Sequence, residues 1–235
     1  MIPLDGRKLD DQVLSEKGME VGATAPAPDR ILLIACGALA REIIALRAAN
    51  HWTHMDLACL PAKLHNQPQK IPESVRARIH QAREEGYARI FIVYADCGTG
   101  GLLDAVCAEE GVERIQGPHC YSFFDGNEAF AQRADQDEEI TSFYLTDFLA
   151  RQFDTLIWKG MGLDRHPELL PMIFGNYEAL VYLSQTHDPA REEKARKAAE
   201  RLGLEFRTRH TGYGDLAPYL ARAAGTNTAA NGAGS

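Results

Sequence analysis

The sequence contains no apolar run long enough to cross a membrane, no basic stripe and no CxxC pair. Its longest hydrophobic stretches are strand-sized, whereas a spanning helix needs about 20 apolar residues, so no membrane partner is expected. The opening MIPLDGRKLDDQ lacks an apolar signal core, which makes the cytoplasm the expected compartment. A formal net charge of -8 and a pI of about 5.5 argue against nucleic acid or an anionic lipid surface as partner. There is no GxGxxG and no Walker loop, so a nucleotide-binding reading has no motif to stand on. No repeat of about 20 to 50 residues signals a solenoid. The five cysteines are an odd number without a small-domain disulfide framework, and they are expected to be free thiols or metal ligands.

What is present is organised around Ala88 to Gly101, ARIFIVYADCGTGG. The run Ile90, Phe91, Ile92, Val93, Tyr94 is β-branched and aromatic and does not alternate with polar residues, as suits a parallel strand covered on both faces. Asp96 and Cys97 fall where that strand should stop, and Gly98, Gly100 and Gly101 permit a sharp turn before a helix opens at Leu102. Ligands of open α/β sheets sit at the carboxyl ends of the strands, which places Cys97 where chemistry is done.

The 235 residues, 45% of them hydrophobic, can bury one large core or two small ones. Residues 1–28 read as a flexible arm. Residues 29–126 form a first βα half: strands at Ile31 to Ala35, Met55 to Leu60, the central strand and Val112 to Ile115, with helices between them. Residues 127–223 form a helical segment, including Ile140 to Phe153, and then a second α/β half with strands at Ala179 to Leu183 and Leu204 to Thr208. The charged helix between those strands starts at Asp188 and stops at Gly203. Residues 224–235 read as a low-complexity tail. The expected class is α/β, a mainly parallel, Rossmann-like sheet with helices on both faces, in one lobe or two.

Cys36, Cys97 and Cys120 each follow an expected strand, and parallel strands joined by helices carry their carboxyl ends on one edge. Three thiolates are strong ligands for Zn²⁺ or iron and leave one position open, as a catalytic metal requires. The plainer alternative is that each is a small buried hydrophobe, which is how Cys59 and Cys107 read. His119 and His65 lie on the same expected edge, as a fourth ligand or general base. Asn66 sits beside His65 in an irregular stretch that something must order. Asp96 could orient a ligand, act as a base or cap the turn, while Gly98, Gly100 and Gly101 resemble an anion-binding nest. Arg41-Glu42 reads as an exposed helical ion pair, with a place facing the site as the alternative, and Asp164 and His166 read as an ordinary helix start that could also reach across as a lid.

The segments ACGALARE, LPAKLHNQP, YADCGTGG, GPHCYSFFDG and GLDRHPEL together resemble a bacterial and archaeal family catalogued as domain of unknown function 1638. The likeness runs from about Ile31 to Leu220, and the family pattern includes Cys36, Cys97 and Cys120 but neither Cys59 nor Cys107. Members are often encoded near corrinoid-dependent methyltransferases acting on methylated amines. The resemblance therefore implies one-carbon metabolism, with a corrinoid protein or methyltransferase as partner and methyl transfer as the expected reaction. The alternatives are an accessory protein that holds a corrinoid, haem or metal for a methyltransferase, and a metal-free enzyme with a reactive cysteine.

Overall fold

The computed structural model describes residues 9–22, 29–134 and 138–225. The chain starts with a short helix α1 (Asp11–Glu16) and a strand β1 (Met19–Val21), and continues as β2 (Ile31–Cys36), α2 (Ala40–Ala49) and β3 (Met55–Leu60). Two 3-10 turns, Ala62–Asn66 and Pro68–Lys70, lead into α3 (Ile71–Glu84), β4 (Arg89–Val93), α4 (Leu102–Glu109) and β5 (Glu113–Arg114). These strands form a five-stranded sheet in the order β1-β3-β2-β4-β5, parallel throughout except for the β1–β3 pair. The sequence explains why this sheet is buried on both faces. Leu33, Ala35 and Val93 point to one layer, with α2; Leu32, Ile34, Ile90 and Ile92 point to the other, against α3 and α4.

Downstream come α5 (Cys120–Asp125), α6 (Asn127–Ala134), the single turn α7 (Glu138–Thr141), β6 (Ser142–Leu145) and α8 (Asp147–Arg151). A π-helical turn at Phe153–Trp158 and a short α9 (Leu170–Phe174) precede β7 (Ala179–Ser184), α10 (Pro189–Leu202), β8 (Glu205–His210) and α11 (Leu216–Ala223). Strands β6, β7 and β8 make a second, wholly parallel sheet. One core runs between the two sheets: Leu33, Val93, Phe148, Leu156, Leu180 and Leu220 all belong to it. Among the described residues no helix is long and apolar enough to cross a membrane.

Three expectations differ from this architecture. Ile140 to Phe153 is not one helix, because Phe143, Tyr144 and Leu145 pair with Leu180, Val181 and Tyr182 as a strand. A short buried apolar run fits either period, and here the neighbouring strand decides. Within the expected flexible arm, residues 9–22 are structured. The Asp10 side chain accepts the N–H groups of Gln12 and Val13, which caps α1. Asp11 then accepts from Arg41 Nε at 2.9 Å and Arg151 Nε at 2.8 Å, tying α1 to both halves of the chain. Arg41 and Glu42 are not a surface pair. Arg41 serves Asp11, and Glu42 is buried. Of the expected tail, residues 226–235 lie outside the described residues.

The two halves also meet around buried charge. Asp147, 2% exposed, accepts from the Tyr182 hydroxyl at 2.7 Å, from the N–H and hydroxyl of Thr186, and from Arg191. Glu42 is less well served, since its Oε2 has no hydrogen-bond partner. Burial pushes its carboxyl up to about 7; Arg151 pulls the other way and Asp147 adds to the rise. The folded state thus holds this proton more tightly than the unfolded chain, whose carboxyl titrates near 4.5. Its contribution to stability is fully present below about pH 4.5, declines as pH rises to about 7, and is flat above. Glu42→Gln should therefore be more stable than wild type at about pH 8, by about 3 kcal/mol, and equal to it near pH 4.5. Urea unfolding across this range checks the point; a pH-independent difference would contradict it.

Candidate functional site

The site follows from the strand order. From β2 the chain steps to β3 on one side and then crosses to β4 on the other, so the carboxyl ends of β2 and β4 diverge to opposite connections. Such a switch point leaves a crevice at the strand ends. Cys36 is the last residue of β2, and Cys97 lies four residues beyond the end of β4. Cys120 begins α5, reached through the loop after β5. All three thiols line one narrow void of about 20 Å³, together with Tyr94, His65 and apolar side chains that include Leu149 and Leu156 of the second half. That volume holds one water molecule or one ion.

Backbone geometry fixes the thiols. Gly37 allows the turn after Cys36, because a Cβ there would stand 2.5 Å from the Leu14 carbonyl oxygen of α1. Cys97 adopts a left-handed conformation (φ 52°) that is uncommon for a residue with a side chain. Its N–H donates to the Pro118 carbonyl at 2.8 Å, and that of Asp96 to the Gly117 carbonyl at 3.0 Å. The turn after β4 is thereby bound to the loop that carries His119 and Cys120.

The thiols feel one another electrostatically. Burial pushes Cys97 up to about 12, with Cys36 adding to the rise and the Cys120 N–H opposing it. Burial also raises Cys36, and raises Cys120 well above the ordinary thiol range, the latter with contributions from Cys97 and Cys36. Tyr94 is pushed up by burial and then by Cys36 and Cys97, and its hydroxyl interacts with the Cys36 thiol. His65 is exposed over part of its surface. Its ring is nonetheless crowded by protein atoms, and that burial, with His119 nearby, lowers its pKa. Among the described residues no group of three or more His, Cys, Asp or Glu side chains stands ready to hold a metal ion.

His65, Cys97 and Leu149 also line a second, outer chamber of about 400 Å³. Its other walls include His119, Tyr121, Ser142, Phe143, Tyr144 and Tyr177. His119 stacks on Tyr121 at 4.7 Å, and Tyr121 on Tyr144 at 4.9 Å.

Of the residues the sequence singles out, Cys36, Cys97, Cys120, His65 and His119 stand at these two cavities. Others serve the scaffold. The Asp96 carboxylate accepts from the Thr99 hydroxyl and from the N–H groups of Gly100 and Gly101, at 3.1 and 2.9 Å, which hold its pKa down. The glycine nest therefore already contains an anion, the side chain of Asp96, and Gly98 packs near Pro68. Asn66 donates to the Leu156 carbonyl at 2.9 Å, joining the His65 turn to the π-helical turn. Asp164 and His166 line neither cavity; His166 pairs with Glu168. Cys59 and Cys107 are core residues. Sequence reasoning missed Tyr94, which reads only as the end of a buried strand, and the chamber walls Ser142, Phe143, Tyr144 and Tyr177. Their one signal is the aromatic cluster around a segment read as helix.

The family described as protein of unknown function (DUF1638) matches residues 59–220. The chain belongs to this family. The matched span includes His65, Cys97, His119 and Cys120, whereas Cys36 precedes it. No curated protein and no solved structure matches the chain.

These half-buried thiols are held in the protonated form, so iodoacetamide should label Cys97 in the native, chelator-treated protein roughly 100-fold or more slowly than in the urea-unfolded chain. Peptide mapping by mass spectrometry measures the ratio. Rapid native labelling of Cys97 near pH 7 would contradict this account of its surroundings.

Proposed function

We propose that the protein is a metal-thiolate enzyme in which Cys36, Cys97 and Cys120 would hold Zn²⁺ or iron at the inner void, next to the outer chamber. The observation that carries this reading is the convergence of three thiols from separate strand ends on a space the size of one ion. His65 stands between void and chamber, and serves as fourth ligand or general base; His119 backs it. The Tyr94 hydroxyl stands beside the Cys36 thiol and would orient it. The thiols do not form a ligating set in their present rotamers, so the reading requires them to turn into the void. A divalent ion reverses the electrostatics of the site, since a coordinated thiol is deprotonated outright.

The reaction we assign is methyl transfer within one-carbon metabolism, on a small-molecule substrate. An acceptor thiolate would attack a methyl carbon, forming the S–C bond as the bond to the departing group breaks and that group leaves with the electron pair. Support for this class comes from the association with corrinoid-dependent methyltransferases that the family resemblance implies, and from the strand-end setting. An accessory role in holding a corrinoid or haem is less well served, because the chamber lies at the low end of the small-molecule range. A metal-free nucleophile is favoured by one observation, the strained backbone of Cys97 at a strand-to-helix turn.

Plasma mass spectrometry of protein purified without a metal-affinity tag decides between them. Wild type should carry close to one equivalent of zinc or iron, and Cys97→Ser much less. Absence of metal from both would contradict the metal reading and turn attention to Cys97 as a free nucleophile.

A further inference from the structure

The outer chamber contains a hydroxyl that nothing in the protein uses. Ser142 opens β6, is 3% exposed, and lines the chamber, yet its Oγ has no hydrogen-bond partner. A buried hydroxyl left unpaired costs about 1–3 kcal/mol, so a polar group that reached this one from the chamber would be held by it.

The chemistry of the walls narrows what that group belongs to. No Asp, Glu, Lys or Arg lines the chamber among the described residues. Apart from His65 and His119 nothing in these walls can carry a charge, and in the metal-free chamber a buried charge without a counter-charge is expensive, which weighs against strongly charged ligands. Aromatic rings dominate instead, and they are arranged in a particular way. Tyr121 is sandwiched between His119 (4.7 Å, 18°) and Tyr144 (4.9 Å, 14°), with Phe130 tilted against it at 5.6 Å, so both its faces are covered and at most part of its rim is turned to the chamber. A ring's rim is its electropositive side; it repels a quaternary ammonium ion and accepts the face of another ring. Phe143 and Tyr177, 5.7 Å apart and inclined at 61°, are backed by Phe174, which packs on both, and together they present an angled wall to the same chamber. Flat rings pack against such walls edge-to-face or offset.

We propose that the outer chamber binds a small uncharged aromatic or heteroaromatic ring, seated against the Phe143–Tyr177 wall with a polar ring substituent hydrogen-bonded to the Ser142 hydroxyl. This names a substrate class for the enzyme proposed above and rests on that reading for the chamber's role as the substrate side. Ring binding itself needs no metal. The chamber of about 400 Å³ accommodates one or two fused rings beside Cys97.

The test titrates the full-length chain, as purified and after chelator, with phenol and toluene by ligand-observed NMR; tetramethylammonium and benzoate are the charged controls. Phenol should bind saturably and more tightly than toluene, and in the chelator-treated protein the charged controls should not compete. Ser142→Ala should weaken phenol about fivefold to tenfold and leave toluene within about twofold, since only phenol carries the group that reaches the hydroxyl. Tyr177→Leu, at a half-buried position, should weaken both ligands with Ser142 intact. The proposal is overturned by the absence of saturable phenol binding, by tighter binding of tetramethylammonium, or by equal losses for phenol and toluene in Ser142→Ala. Protein that carries no metal as purified and still binds phenol would remove the metal reading and keep the ring site. Metal-loaded protein that ignores phenol would do the reverse.

Discussion

Everything at the site depends on the in-register parallel pairing of three strands, with β2 in the middle. Ala35 lies opposite both Val93 of β4 and Cys59 of β3, so the chain leaves β2 and β4 side by side at the same edge. Parallel pairing requires crossovers on the faces, and α2 lies on one face while α3 and α4 lie on the other. The connections therefore part above β2 and β4, and the crevice they leave is where Cys36 and Cys97 emerge. A slip of one residue would turn every side chain of β2 to the opposite layer and separate the thiols.

The second sheet completes what the first begins. The outer chamber exists only because β6, the π-helical turn and the segment around Tyr177 come to rest against the strand ends of the first half. Several ties hold that arrangement: Asp11 between Arg41 and Arg151, Asn66 on the Leu156 carbonyl, and Tyr219, whose hydroxyl donates to the Ile92 and Glu113 carbonyls at 3.1 and 3.2 Å. These bonds lie at or near buried positions, where loss of a partner leaves an unsatisfied polar group. A metal or substrate bound between the halves would therefore find its walls already positioned.

Much of this was legible in the sequence, and for identifiable reasons. Continuous apolar runs such as Ile31 to Ala35 and Ile90 to Val93 announce buried parallel strands, and the residues after them announce a strand-end site; both follow from local pattern. The Gly98–Gly101 turn was legible as a turn, but its partner was not. Whether its N–H groups meet a ligand or the neighbouring Asp96 depends on side-chain direction, which spacing does not encode. The β6 strand was hidden because Phe143-Tyr144-Leu145 satisfies helical and extended patterns alike until β7 is placed beside it. Glu42 looked like half of a surface pair with Arg41, since nothing local reveals that α2 turns it toward Arg151. The tie at Asp11 was invisible for the same reason: its two arginines stand 30 and 140 residues away.

The central claim is that the three strand-end thiols act as one ligand set. Cobalt(II) substitution tests it most directly, because thiolate coordination produces an intense near-ultraviolet charge-transfer band and tetrahedral geometry produces strong visible absorption. Anaerobic titration of chelator-treated wild type should give both signals with a sharp endpoint at one equivalent. Cys36→Ser, Cys97→Ser and Cys120→Ser should each lower the charge-transfer band by about one third or abolish binding, whereas Cys107→Ser should leave it unchanged. A featureless titration of the wild type, or a band that survives all three substitutions, would contradict the account.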